Sequence, residues 1–271
     1  MYCSLRLFFD KTPDMTDSFY FLKLVRLIGT TLGYPIENMS YMLLDPNGDS
    51  FLINKKYKYS TKGIQKMKDT KIVPFSISKS GVIYPTCLSA FDYCSDFDLF
   101  TNIRVSLRYP TLNYPTVLSI DYRCCNYNKL DFDKYNHLIK QIIDIGFHVN
   151  NGFYTGYVRK QDVISFSGGS TGFLTSLQGK RNIENLITHM KHNQLDILMG
   201  IYYANSIVAN ALSDDQINRI REIVGKDNVV IENGILSFTL DKIEKVTPFY
   251  HLKYLGKIKK LEKLLICKEE K

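Results

Sequence analysis

Three aspartates, Asp92, Asp96 and Asp98, stand close together inside FDYCSDFDLF, residues 91–100. Carboxylates at such spacing can hold Mg²⁺ for phosphoester chemistry. That chemistry also wants a nearby Lys or His, and no basic residue lies between Ser80 and Ile103. The segment also lacks the glycine and closing glutamate of a calcium loop. The glycine-rich stretch from Ser165 to Gly172 could turn backbone amides toward a phosphate. Its sequence has no P-loop lysine, since Lys180 comes far too late. Ser167 and Ser170 lack the Gly-x-Ser-x-Gly elbow and a His partner. His189 and His192 share one helix face with only Glu184 nearby, which is too few ligands for zinc. His148 and His251 are isolated. These readings nominate no catalytic residue, no metal ligand and no cofactor, so the expectation is a protein that is not an enzyme.

What remains is the chemistry of binding. The formal net charge is +8, and it is unevenly placed. Between Lys55 and Lys71, seven lysines face only Asp69. Between Tyr250 and Lys263, five lysines face only Glu262. The stretch from Ser80 to Ile103 carries acid alone. Phe91, Tyr93, Phe97 and Phe100 lie among its aspartates and are the side-chain type that dominates interface energetics. The expected partner-binding residues are therefore Asp92, Tyr93, Asp96, Phe97 and Asp98. Changing the three aspartates to Asn should weaken a basic partner while leaving folding nearly unchanged. The competing reading is that the aromatics fill the core and the aspartates cap turns. The alternative interface is nucleic acid on Lys55, Lys56, Lys58, Lys62 and Lys66, with Tyr57 and Tyr59 interleaved as in single-strand binders. Lysines on edge strands are also an ordinary defence against aggregation. Arg is absent between Arg26 and Arg104, so nucleic acid is not the expected partner.

The elements that must position these residues follow from period and punctuation. The chain has 271 residues, 45% hydrophobic and 23% charged, which is ordinary globular composition. Apolar spacing predicts helices over Asp17–Leu32, Asp133–Ile145 and Ile183–Lys191. A capping box at Ser213–Gln216 starts another. Thr247-Pro248 starts a last, basic helix with Leu252, Leu255, Ile258, Leu261 and Leu265 on one stripe. Strands are expected at Ser4–Phe9, Asn38–Leu44, Phe51–Ile53, Ile72–Ile77, Val82–Tyr84, Ile103–Leu107, Val117–Tyr122, Phe153–Val158, Asp162–Phe166, Ile197–Tyr203, Val229–Glu232 and Ile235–Leu240. The last two join at Asn233-Gly234, a hairpin signal. Tyr-Pro-Thr recurs at Tyr84, Tyr109 and Tyr114, which reads as extended chain entering strand edges.

A strand, a helix ending at Gly and a second strand recur over Ser4–Leu44, Val117–Val158 and Ile197–Leu240. This is either internal duplication or a common α+β habit. The expected fold is α+β, with mixed or antiparallel sheets and amphipathic helices on one face. Two halves are expected, 1–125 and 126–271.

The opening MYCSLRLFFDKTPD has only Arg6 as a basic residue ahead of Asp10, and too short an apolar run for a secretory signal. The six cysteines are scattered and read as free thiols of a reducing compartment. The uncharged stretch from Ile197 to Ser213 is too short and polar to span a bilayer. Ile197–Ala204 reads as a buried strand instead. A cytoplasmic protein with no membrane span is expected.

Three segments carry a resemblance: SLRLFFDKTPD, LGYPIENMSYMLLD and DDQINRIREIVGKDNVVIENGILSF. They resemble immunity proteins of bacterial polymorphic toxin systems, in the α+β family found beside restriction-endonuclease-like toxins. The resemblance implies a cytoplasmic protein that binds and neutralises a cognate toxin. It supplies no functional residue. Inhibitors of nucleic-acid-cleaving toxins are often acidic, and this chain is basic.

Overall fold

A computed structural model describes residues 2–11, 18–44, 51–73, 75–77, 79–80, 83–92, 94–95, 99–100, 102–108, 116–123, 132–157, 205–208, 212–240 and 254–265. Its strands are β1 (Tyr2–Lys11), β2 (Asn38–Leu44), β3 (Phe51–Lys58), β4 (Phe75–Ile77), β5 (Ile83–Phe91), β6 (Cys94–Ser95), β7 (Leu99–Phe100), β8 (Ile103–Arg108), β9 (Thr116–Arg123), β10 (His148–Tyr157), β11 (Asn205–Val208), β12 (Val229–Glu232) and β13 (Ile235–Thr239). Its helices are α1 (Ser18–Leu32), α2 (Thr61–Lys68), α3 (Phe132–Asp144), α4 (Asp214–Val224) and α5 (Leu255–Leu265). The fold is α+β, as the sequence predicts.

Among the described residues one sheet runs β12-β13-β11-β10-β1-β9-β8-β5-β2-β3, with β4 attached to β5 and β6-β7 a separate ribbon. All described pairings are antiparallel. β1 lies between β9 and β10, so the sheet continues through residues on both sides of position 125.

Residue alternation assigns the faces. Leu5 and Leu7 of β1, Met39 and Tyr41 of β2, Leu88 of β5, Val105 of β8 and Ile120 of β9 join one buried cluster. The same cluster takes Phe21, Leu24, Val25 and Ile28 from α1 and Leu138, Ile139 and Ile142 from α3. Each such side chain contributes about 1.5–3 kcal/mol by leaving water. These two helices therefore lie on one face, as expected. The last helices do not. Leu236, Phe238 and Leu240 cluster with Ile220 and Val224 of α4 and Leu261 of α5. The intervening Ser237 instead bonds Asn136 of α3 across 2.6 Å, so α4 and α5 cover the opposite face at the β13 end.

Several signals hold residue by residue. The capping box closes in both directions between Ser213 and Gln216. Asn233 and Gly234 adopt φ of 53° and 77°, the left-handed pair that a tight hairpin needs. Other elements differ from expectation. β3 continues to Lys58, so three of the lysines stand on a strand. β5 extends to Phe91, well past the three residues expected. Among the described residues of the expected Ile72–Ile77, Phe75–Ile77 is a strand and Ile72 and Val73 are not. Within the uncharged stretch, the described residues Asn205–Val208 form a strand. The expected helix at Ile183–Lys191, the strands at Asp162–Phe166 and Ile197–Tyr203, the loop at Ser165–Gly172 and the start of the last helix at Thr247 lie outside the described residues. So do His189, His192 and His251.

Candidate partner-binding surface

The acidic nominee Asp92 follows directly on β5 and is 3% exposed. Its Oδ2 accepts the Asn102 amide at 2.8 Å and its Oδ1 the Ile103 amide at 3.3 Å. Its own amide donates to the Ile103 carbonyl, and its carbonyl accepts from Asn38 Nδ2 at 2.7 Å. Asp92 thus ties the end of β5 to the start of β8 and to β2. It is a buried turn cap rather than an outward charge, and its removal should not leave folding unchanged. Tyr93, Asp96, Phe97 and Asp98 lie outside the described residues. Phe91 is buried.

The basic nominees lie on adjoining elements, with Lys55 on one face of β3 and Lys56 and Lys58 on the other. Lys55, Lys56 and Lys58 stand on β3, the last strand in the sheet order, and all three are exposed. Lys62, Lys66 and Lys68 stand on α2 and Lys71 just beyond it, again exposed. The local sequence builds this arrangement. Ser60 caps α2 through the Gly63 amide. Gly63 packs so close to β3 that a Cβ there would lie 1.8 Å from the Lys58 carbonyl oxygen. Met67 is fully buried in the main core and Ile64 packs against it. The remaining positions of α2 are thereby turned outward. Asp69, the one carboxylate of the window, accepts from Gln65 Nε2 at 2.8 Å.

Tyr57 and Tyr59 do not form a stacking platform. Both are half-buried against the core, and the Tyr57 hydroxyl lies 2.7 Å from Thr70 Oγ1. The aromatic-plus-basic pattern in the sequence is therefore shared between core and surface.

α1 adds residues that sequence reasoning missed. Lys23 and Arg26 are exposed on it, and α1 contains no acidic residue. Lys23 Nζ lies 4.4 Å from the Phe19 ring centroid and Lys68 Nζ of α2 lies 5.4 Å from it. Phe19 is itself 40% exposed. Two ammonium groups from different helices thus meet over one surface ring. The signal was available in the sequence, since Lys23 and Arg26 fall between the apolar positions of the α1 stripe.

Polar groups inside the sheet serve the framework. Arg6 Nη1 of β1 stands 2.9 Å from Asp121 Oδ1 of β9, with both side chains 8% exposed. Ser40, Ser89, Ser106 and Ser119 lie in register across β2, β5, β8 and β9. Ser89 and Ser106 hydroxyls are 3.0 Å apart, and Arg104 Nε donates to Ser106 at 3.1 Å. Cys87 is a buried free thiol. His148 is exposed on β10. Among the described residues no group of three or more His, Cys, Asp or Glu could hold a metal ion, and no helix is long and apolar enough to cross a membrane.

No family model matches the chain, and no curated protein matches it. Among solved structures, the Pseudomonas aeruginosa T6SS protein PA0821 is similar, with a TM-score of 0.48 and 7% identity. That alignment covers 96% of this chain and 72% of PA0821.

Proposed function

We propose that this protein is a non-enzymatic immunity protein that neutralises a cognate bacterial toxin in the cytoplasm by direct protein–protein contact. The observation that carries the reading is how charge is divided. Buried ionic groups such as Asp92, Arg6 and Asp121 bind one another or the backbone. Exposed cations are concentrated on α1, α2 and β3, with a second exposed basic group on α5. A sheet with a predominantly positive surface suits recognition, where charge complementarity sets encounter rate and specificity. The resemblance to immunity proteins supports the reading too. Its segments include β1, β2 and α4 through β13, the framework of the sheet. Co-expression with the toxin encoded in the neighbouring gene tests it: the pair should co-purify and growth should be rescued, and persistent toxicity with no complex would count against it.

The second reading is nucleic-acid binding through Lys55, Lys56, Lys58, Lys62 and Lys66. Their exposure favours it, and the half-burial of Tyr57 and Tyr59 counts against it. Affinity for generic DNA or RNA falling steeply with salt is its signature.

A further inference from the structure

We infer that the surface formed by α1, α2 and the end of β3, centred on Lys23, Lys62, Lys66 and Lys68, docks an acidic surface of a partner protein. This rests on the reading above that the chain acts by binding a protein. It moves the contact away from the aspartate segment, where Asp92 is buried. Among the described residues, none of Lys23, Arg26, Lys62, Lys66, Lys68 and Lys71 is in an ion pair. Of the nearby carboxylates, Asp69 is engaged by Gln65, and Glu37 is exposed beside the end of β3, where its carbonyl accepts the Tyr59 amide. This differs from α3 and α4, which carry the pairs Lys140–Asp144 and Arg219–Asp215. The surface therefore keeps a net positive potential, which the negative charge of a complementary partner would meet.

Structural roles cover part of this pattern. Lysines blunt an edge strand, and Lys66 and Lys68 suit the C-terminus of α2. Neither role explains why Lys23 of α1 and Lys68 of α2 converge on Phe19, since that convergence gathers like charges. A second copy of the chain is a poor occupant, because the same cations would face each other. A single-stranded nucleic acid would seek aromatic faces for stacking. Here Tyr57 and Tyr59 are packed against the core, and Phe19 carries Lys23 and Lys68 at cation–π distance. An acidic protein surface needs no free ring and fits flexible ammonium groups.

The test uses the full chain, a fluorescent glutamate-rich peptide and a single-stranded DNA of equal charge, with binding read by anisotropy. Lys62→Glu with Lys66→Glu should weaken the peptide at least about tenfold. Lys259→Glu with Lys260→Glu on α5 makes the same change in net charge on exposed positions elsewhere, and should alter affinity less than about twofold. Both pairs are exposed, and unchanged circular dichroism confirms that each variant folds. DNA should bind the wild type more weakly than the peptide. Equal losses in both variants, or no loss in the first, would overturn the inference, and tighter DNA binding would transfer the surface to nucleic acid. No toxin enters this assay, so its failure leaves neutralisation to be judged by its own titration.

Discussion

At the scale of single residues, the polar groups hold the framework together. Asp92 accepts two backbone amides, those of Asn102 and Ile103. Asp92→Asn replaces one acceptor oxygen by an amide donor, leaving one of those N–H groups facing a donor. A loss of about 1–3 kcal/mol is expected, measured by urea denaturation, with neutralisation by the folded fraction unchanged. The Arg6–Asp121 pair makes a sharper case. Asp121→Ala strands the Arg6 guanidinium at 7% exposure, with an expected loss of about 3–5 kcal/mol. Adding Arg6→Met removes the stranded charge and should recover part of that loss. No recovery in the double variant would mean that the guanidinium has other support.

At the scale of elements, α2 decides whether the basic surface exists. Gly63→Ala improves helix propensity by about 1 kcal/mol. Its Cβ would meet the Lys58 carbonyl oxygen at 1.8 Å, and that atom is backbone. The expected outcome is net destabilisation, read as a lower Tm, with weaker peptide binding as α2 shifts off β3. A raised Tm would show that α2 can relax without cost. This helix also marks where sequence reasoning ended. The long helices α1, α3 and α4 were legible because their apolar stripes repeat over several turns and end at Gly33, Gly146 and Gly225, all with positive φ. α2 is eight residues long, contains Gly63 and buries little beyond Met67, so its period is too short to see against five surrounding polar or charged positions. β3 was cut short for a related reason. Lys55, Lys56 and Lys58 pair with β2 through backbone groups, and a lysine run hides backbone pairing. At the candidate site, the sequence separated acid from base correctly as patterns of charge. It could not tell that Asp92 points inward or that the tyrosines of the basic stretch are core-facing, because that depends on which strand lies beside them.

At the scale of the whole molecule, one antiparallel sheet carries different covers on its two faces. α1 and α3 seal one face, and α4 and α5 seal the other near β13. The basic surface lies at the opposite end of the strand order, beside β3. The partner is thus expected at the β3 end, away from the β12–β13 hairpin. Under the proposed function, this protein acts by occupying its partner rather than by turning over a substrate. Titration of the purified protein against a candidate toxin, sought among the products of neighbouring genes, with residual toxin activity as the readout, tests this most directly. Activity should fall in proportion to the protein added and vanish at stoichiometric equivalence, because each molecule silences one toxin. Full protection at a small fraction of equivalence would reveal turnover and an enzyme, and undiminished toxin activity at equivalence would contradict neutralisation by binding.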